Sequence, residues 1–277
     1  MGVKYLVNER FFGVWSAEMA YVLGLVFSDG SVEDSPQIRG KYLRFSSTDK
    51  ELVELVKCAL GSAHTIVTYR RSERHKRGYF IRIGSHRLCD RLGELGVTPH
   101  KSLTMVFPVL GGGYLADFVR GYFDGDGCAH VEYKNGKPTR LLAIFTSGSA
   151  KFLGALALRL AETGMTHKKV YKHGSTASAY QLRYSTRDSL RLFQFMYEGR
   201  SKPELCLERK WVIFDRFLRE RCFSPAVLAR ELTRSGPMVK RKHGDLQNRY
   251  CAGSIPARAS SRGDGSGRHT GLKIPRA

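Results

Sequence analysis

Two related stretches of sequence decide the fold of this chain. Residues 18–30 read EMAYVLGLVFSDG, and residues 115–127 read LADFVRGYFDGDG. When the two stretches are aligned, Gly24 corresponds to Gly121 and Asp29 corresponds to Asp126. Repetition of one pattern over this length predicts a structural unit that occurs twice in the chain.

Hydrophobic periodicity and turn signals give both copies the same order of elements. In the first copy Ser16 can cap a helix that ends at Gly30, a residue suited to the left-handed conformation past a helix end. A weaker strand signal lies near Val32, and Asn135-Gly136 is a hairpin signal. The other predicted elements are strands at 42–46, 65–69 and 79–83 with helices at 49–60 and 86–95, then a motif helix ending at 127, strands at 129–133, 141–146, 169–172 and 180–184, and helices at 149–163 and 188–197.

This order predicts an α+β protein made of two pseudo-symmetric αββαββα subdomains with antiparallel sheets. We assign residues 1–110 to the first subdomain with its linker and residues 111–222 to the second. Residues 223–277 lack periodicity and are rich in Gly, Ser, Pro and Arg. Such a composition predicts a basic, disordered tail.

The charge of the chain favours a polyanionic partner. Lys and Arg number 46 against 25 Asp and Glu, a formal net charge of +21, which points to nucleic acid. No apolar run approaches the ~20 residues that span a bilayer, and the N-terminus has no signal-like run. The six cysteines form no CxxC pair, which argues against structural zinc. We therefore expect a soluble intracellular protein with reduced thiols and no membrane partner.

The two motif helices carry the predicted chemistry. Gly24 and Gly121 have no side chains and would let the helices approach closely about a pseudo-twofold axis. Close pairing would bring Asp29 and Asp126 together at the negative ends of two helix dipoles. One Asp-Gly at a helix end is ordinarily a cap, but two in register call for a cation. Mg²⁺, with Mn²⁺ as a substitute, takes carboxylate, water and phosphate oxygens, so the pair predicts metal-assisted phosphodiester hydrolysis.

The motifs resemble those of a known family. Residues 22–30, VLGLVFSDG, and residues 119–127, VRGYFDGDG, resemble the LAGLIDADG homing endonucleases in their single-chain, two-motif form. The likeness covers about residues 10–220. It implies a saddle of two antiparallel sheets over the DNA major groove and a monomer that cuts both strands across the minor groove. The first motif departs from the pattern at Phe27, where the family has an acidic residue that is usually structural.

Residue by residue, the resemblance implies roles for six positions. Asp29 and Asp126 would be the catalytic metal ligands, and the main-chain carbonyls of Ser28 and Gly125 would also face a metal ion. The family often has a basic residue near each scissile phosphate. The candidates for that role are Lys101 and Lys210, with ordinary surface lysines as the alternative.

Polar residues that alternate with apolar ones on the strands predict a face that reads bases, with a plain solvated face as the alternative. The candidate base readers are Arg44, Arg82, Gln181 and Arg183. Basic residues crowded into turns predict contacts to phosphates. The candidates for phosphate contact are Arg70, Arg71, Arg74, Lys76 and Arg77 in one turn, Lys134, Lys137 and Arg140 around a second, and Lys168, Lys169 and Lys172 near a third.

The leading hypothesis is a site-specific, Mg²⁺-dependent double-strand DNA homing endonuclease encoded by a mobile element such as an intron. One alternative is an intron RNA maturase, whose partner would be intron RNA. Another is a catalytically inactive DNA-binding regulator on the same scaffold. The presence of both motif acids argues against the inactive regulator and leaves the maturase open.

Overall fold

The two halves of the chain share one order of elements, as the repeat predicts. The computed structural model describes residues 5–35, 40–70, 72–99, 101–174, 179–197 and 204–222. The first half contains α1 (Ala17–Asp29), β1 (Gly30–Ser35), β2 (Gly40–Ser47), α2 (Lys50–Ala59), β3 (Val67–Tyr69), β4 (Gly78–Gly84) and α3 (His86–Glu94). The second half contains α4 (Leu115–Asp126), β5 (Gly127–Lys134), β6 (Lys137–Ser147), α5 (Ala150–Ala161), β7 (Tyr171–His173), β8 (Ala179–Tyr184), α6 (Thr186–Tyr197) and α7 (Glu208–Glu220).

Each half builds its own four-stranded antiparallel sheet. The strand order is β1-β2-β4-β3 in the first half and β5-β6-β8-β7 in the second, which confirms the predicted α+β class with two similar halves. Asn135 and Gly136 connect β5 to β6 with φ values of 52° and 72°, as a tight hairpin turn between twisted strands requires.

Along the strands, successive side chains point alternately to a face covered by helices and to an open face. Leu43 and Phe45 of β2 are buried, and so are Ile81 and Ile83 of β4, because these residues point toward the helices. The residues between them lie on the other face, here called the open face, where Arg44 is half-buried and Arg82 is exposed. The predicted alternation is therefore confirmed. None of the helices among the described residues is both long and apolar enough to cross a membrane.

The halves are joined through α1 and α4, which pack against each other at their glycines. A Cβ atom on Gly121 would lie 3.2 Å from the backbone nitrogen of Leu25 and would overlap the carbonyl oxygen of Tyr21. Any larger residue would push the two backbones apart. This contact confirms the predicted close approach of the motif helices.

The sequence-based interpretation of Gly30 is wrong in its conformation. Its φ of −93° and ψ of 156° are extended, not left-handed. The residue must be small because a Cβ atom there would lie 2.7 Å from the carbonyl oxygen of Val26. As a result β1 begins directly after Asp29, and the first sheet starts at the acidic helix end.

Helix α7 has no counterpart among the predicted elements. Its residues Phe214, Phe217 and Leu218 are buried. Their i, i+3, i+4 spacing is that of one helix face, so the sequence contained a signal for this helix. The helix packs against β5 and β6. It brings Lys210, in its first turn, toward the end of α4.

Candidate active site at the paired helix ends

The C-terminal ends of α1 and α4 lie against each other. A Cβ atom on Gly125 would stand 2.5 Å from the Cβ atom of Ser28 and 3.3 Å from Oδ2 of Asp29. The hydroxyl of Ser28 donates to the carbonyl oxygen of Leu25 at 2.8 Å, which keeps this side chain on its own helix. Because Asp29 and Asp126 end the two helices, their carboxylates share one small region.

Both carboxylates lie in a crowded part of the structure, and the pKa of each is raised. Burial and, secondly, the negative charge of Asp126 raise the pKa of Asp29 to about 7. Burial also raises the pKa of Asp126, while the positive charges of Lys101 and Lys210 act against that rise. Asp29 is half-buried and Asp126 keeps an exposed surface, so a ligand from solution can reach both. The two negative charges repel each other, and a bound cation would offset this repulsion.

Lys101 lies in the turn that follows the first half. It is 4% exposed, so the alternative prediction, that Lys101 is an ordinary surface lysine, is wrong. Burial lowers its pKa to about 8, against the opposing effects of Asp126 and Asp29. Among the residues that the structure describes, its ammonium group acts on these carboxylates through charge and makes no hydrogen bond.

Lys210 is also buried, with 3% of its surface exposed, but it is held quite differently. Its Nζ donates to the carbonyl oxygens of Phe123, Asp124 and Gly125 at 2.6, 2.7 and 3.1 Å. An ammonium group has three N–H donors, and all three are used here. Burial lowers the pKa of Lys210 to about 8. A cation in this position satisfies the end of α4 and offsets its dipole.

The donor set at the helix ends suits a hard divalent cation. It comprises the carboxylates of Asp29 and Asp126 and main-chain carbonyl oxygens, of which that of Gly125 already accepts a hydrogen bond from Lys210. All of them are oxygen donors. Within the described residues no group of three or more His, Cys, Asp and Glu side chains could hold a metal ion. The two carboxylates would therefore need water and phosphate oxygens to complete the coordination of an ion.

Two residues of the second motif were missed as functional candidates. Asp124 is fully buried, and its Oδ2 accepts hydrogen bonds from the Tyr21 hydroxyl and the Leu207 N–H, each at 2.8 Å. Tyr122 donates to the carbonyl oxygen of Thr146 at 2.8 Å and helps to lower the pKa of Asp126. An acidic residue on the apolar side of a motif helix was the available signal, because buried acids are rare unless they are paired.

The first sheet places two candidate base readers side by side on its open face. Arg44 and Arg82 are directly opposite each other on β2 and β4. Glu33 of β1 lies between them, 3.7 Å from the Arg44 guanidinium and 2.9 Å from that of Arg82. Arg44 also lies over the Phe80 ring at 4.4 Å, and Arg82 over the Tyr42 ring at 3.8 Å. Glu33, which the sequence analysis did not select, thus orients both arginines.

The second sheet has a sparser arrangement. Arg183 donates from Nε to Oε1 of Gln181 at 2.8 Å, so these two candidates are neighbours on β8. Arg140 of β6 forms an exposed ion pair of 3.4 Å with Glu132 of β5. Lys172 of β7 pairs with Tyr180 of β8. Because Tyr180 and Gln181 are adjacent on β8 and point to opposite faces, Lys172 lies on the face away from Gln181.

The candidate phosphate contacts lie in three places: the turn between β3 and β4, the turn between β5 and β6 with the adjoining ends of both strands, and the segment that leads into β7 together with β7 itself. The Nε of Arg70 donates to the carbonyl oxygen of His75 at 2.9 Å, whereas Lys168 approaches Asp188 at 3.7 Å. Arg71 lies outside the described residues. The exposed members of the set are Arg70, Arg74, Lys76, Arg77, Lys134, Lys137, Arg140, Lys169 and Lys172.

Two αββαββα halves, joined through helices that each end in Asp-Gly, define the fold of the single-chain LAGLIDADG meganucleases. The family model described as a LAGLIDADG-like domain matches residues 16–95 and 113–196, together more than half of the chain. The chain therefore belongs to the LAGLIDADG family and contains two copies of its domain.

Solved structures of this family are similar to the chain. The homing endonuclease I-WcaI bound to its DNA recognition sequence has a TM-score of 0.50 and 14% identity, over 73% of this chain and 90% of that chain. The homing endonuclease I-GzeII in complex with its DNA target gives 0.49 and 10%, over 79% and 96%. I-DmoI in complex with DNA and Mn gives 0.45 and 15%, over 65% and 96%. At such low identity the likeness to I-WcaI concerns the fold alone. Curated protein sequences give no match.

Proposed function

We propose that this protein is a monomeric, site-specific endonuclease that uses divalent metal ions, Mg²⁺ or Mn²⁺, to cut both strands of a double-stranded DNA target. The observation that carries the proposal is the pair of neighbouring carboxylates, Asp29 and Asp126, at the joined ends of α1 and α4. Lys101 and Lys210 are buried beside them. Membership of the LAGLIDADG family and the net charge of +21 support the same conclusion.

The side chains present suit hydrolysis of a phosphodiester. Asp29 and Asp126 would hold the metal ion, together with the carbonyls of Ser28 and Gly125. A bound divalent ion would supply an acidified water molecule and offset charge on the phosphate. The ammonium group of Lys101 makes no hydrogen bond to the described residues, so it could donate to an oxygen of a phosphate bound at the acids and stabilise the negative charge that develops there. Lys210, with its three donors engaged, adds a fixed positive charge behind the acids.

The position of the sheets supports a duplex as the substrate. Because β1 follows Asp29 and β5 follows Asp126, both open faces begin at the acids. A duplex that lies along these faces would have its backbone at the carboxylates. Arg44 and Arg82 on one sheet and Gln181 and Arg183 on the other would then face base edges, since Arg pairs with guanine and Gln with adenine. Basic residues in the turns and in the segment that leads into β7 would contact phosphates.

The direct test is cleavage of a plasmid that carries the DNA flanking the reading frame, joined without it. We expect linear product with Mg²⁺ and none with EDTA, and we expect Asp29→Asn and Asp126→Asn to lose double-strand cleavage. Asp90→Asn, which alters an exposed carboxylate of α3, is the matched control and should cut like the wild type. Linear product in EDTA, or from both motif variants, would refute the metal mechanism.

The same plasmid separates the alternative functions. Tight binding of the plasmid target without cleavage, in Mg²⁺ and in Mn²⁺, would favour a DNA-binding regulator. Improved splicing of the parent transcript on addition of the protein would favour a maturase.

A further inference from the structure

The two halves differ at one pair of equivalent positions. In the motif alignment Phe27 corresponds to Asp124, and Tyr21 corresponds to Phe118. Phe27 packs edge-on against Phe118, with ring centroids 5.3 Å apart. The equivalent contact on the other side is a hydrogen bond of 2.8 Å from the Tyr21 hydroxyl to Asp124. One half of the helix interface is thus apolar where the other is polar.

Asp124 also reaches the segment that leads into α7. The same Oδ2 atom accepts the backbone N–H of Leu207 at 2.8 Å, and Leu207 is the residue that precedes the helix. Lys210 follows in the first turn. Asp124 therefore ties α4 to the start of the helix whose lysine donates to the α4 carbonyls.

A second anchor holds the chain nearby. Arg120 of α4 donates to the carbonyl oxygens of Leu205 and Met196 at 2.9 and 2.8 Å. The approach of this segment to α4 and α6 therefore does not depend on Asp124. What Asp124 adds is the exact placement of the first turn of α7.

No such tie exists on the Lys101 side within the described residues. Phe27 has no acceptor to offer, and its ring packs against Phe118 and Phe152 of the second half. The ammonium group of Lys101 meets the two motif acids through charge only. One half of the site therefore has a locked ammonium group, and the other half has a free one.

We propose that Asp124 is a positioning residue that fixes Lys210 against the end of α4, and that it makes the two halves of the site non-equivalent. The consequence for the reaction rests on the proposed function. If each half serves one DNA strand, the loss of Asp124 slows one of the two strand cuts more than the other.

The first test needs no DNA. Competitive acetylation of the folded full chain with acetic anhydride, followed by mass spectrometry of the Lys210 and Lys101 peptides, reports the protection of each lysine. In the wild type Lys210 should react more slowly than Lys101. In Asp124→Leu the ratio of Lys210 to Lys101 modification should rise about tenfold, which is the lower end of the ~10–100-fold loss of affinity or activity seen when the supporting partner of a metal ligand is removed.

Three further variants separate positioning from stability. Asp124→Asn keeps an oxygen acceptor for Leu207 but removes the negative charge that raises the pKa of Lys210, so its ratio should rise much less than that of Asp124→Leu. Tyr21→Phe removes the other hydrogen bond to the same oxygen and should leave the ratio unchanged. Leu207→Pro deletes the N–H donor at a residue whose φ of −80° suits proline. It should raise the ratio as Asp124→Leu is expected to, and it provides the test if Asp124→Leu does not fold.

The second test follows cleavage of the supercoiled plasmid target through its nicked form. A merely structural effect lowers the fraction of active protein and slows both strand cuts equally. Loss of positioning should instead slow one cut by about tenfold or more, so that nicked circles accumulate in Asp124→Leu and not in Asp124→Asn.

The outcomes distinguish the two proposals. If Lys210 stays protected in Asp124→Leu and in Leu207→Pro, the positioning role is wrong. If Lys210 loses protection and both strands are still slowed equally, the non-equivalence of the halves is wrong. If the wild type cuts nothing, the endonuclease proposal fails, and acetylation still decides the role of Asp124.

Discussion

Gly24 of α1 lies so close to α4 that a Cβ atom there would overlap the carbonyl oxygen of Phe118 and stand 2.7 Å from the backbone nitrogen of Tyr122. The obstructing atoms belong to backbone, which cannot rotate away as a flexible side chain can. The separation of the two helices therefore depends on the absence of a side chain. Because the acids end the same helices, this contact also determines where Asp29 and Asp126 meet.

Substitution of Gly24 by Ala should separate the helices. We expect Gly24→Ala to destabilise the protein by about 3 kcal/mol, at the upper end of the usual cost of overpacking, and to lower the midpoint of urea unfolding. Gly154→Ala in α5 is the matched control, because nothing lies within 4 Å of a Cβ atom there. It should stabilise by about 0.5–1 kcal/mol through helix propensity. Equal effects of the two substitutions would show that close approach is not required.

Divalent cations should stabilise the folded protein through the motif acids. At a concentration a hundred times its dissociation constant, one bound ion adds about 2.7 kcal/mol. The melting temperature of the wild type should therefore rise with added Mg²⁺ or Mn²⁺ and fall back with EDTA. Asp29→Asn and Asp126→Asn should lose most of this rise, whereas Asp90→Asn should keep it. A rise that survives in both motif variants would place the bound ion elsewhere.

Without metal, the stability should depend on pH through Asp29. Burial and the charge of Asp126 raise its folded pKa to about 7 from 3.8, so the folded state holds the proton more tightly than the unfolded chain. This contribution to stability is lost as the pH rises from about 4 to about 7. Asp29→Asn should therefore stabilise the protein in EDTA by about 1–2 kcal/mol at pH 8, and by less at pH 5.

Thermal melts in EDTA at the two pH values measure this effect. Asp90→Asn, which breaks a surface ion pair with Lys41, should gain no stability at pH 8. A melting temperature of Asp29→Asn that exceeds the wild type equally at both pH values would contradict the assigned cause.

Glu33 should control how selectively the first sheet binds DNA. Glu33→Gln removes the negative charge that orients Arg44 and Arg82 and leaves two less restrained cations on the open face. Non-specific affinity should rise, and the preference for the target over a scrambled duplex should fall about five- to tenfold, since a well-placed base contact is worth ~1–3 kcal/mol of discrimination.

Anisotropy titrations of the two duplexes at one salt concentration measure this preference. Glu132→Gln is the control, because it also removes one negative charge but belongs to the second sheet, where Glu132 pairs with Arg140. A loss of preference as large in Glu132→Gln would mean that net charge, not the orientation of the arginines, is responsible.

Local patterns predicted much of this protein correctly. The alternation of Leu43 and Phe45 with Arg44 predicted which face of β2 is buried, because the side chains of a strand alternate by geometry. The left-handed conformation predicted for Gly30 was wrong, because a glycine can be required for close packing as well as for a left-handed turn. Helix α7 was missed although its spacing of buried Phe214, Phe217 and Leu218 is helical.

The roles of Lys101 and Lys210 could not be separated from sequence. Both follow a copy of the repeat, and both were assigned the same role by resemblance. Only the folded chain distinguishes the ammonium group of Lys210, bound to three carbonyls, from that of Lys101.

The amino-acid sequence by itself determined the two copies of the motif helix, the glycine inside each copy and the acid at its end. Those features follow from periodicity, from helix termination and from the size of glycine, all of which act over a few residues. The tertiary structure alone decided that Asp124 meets Tyr21 and Leu207 and that Glu33 lies between Arg44 and Arg82. These contacts join residues far apart in the chain, and they depend on helix crossing and strand register, which no local pattern specifies.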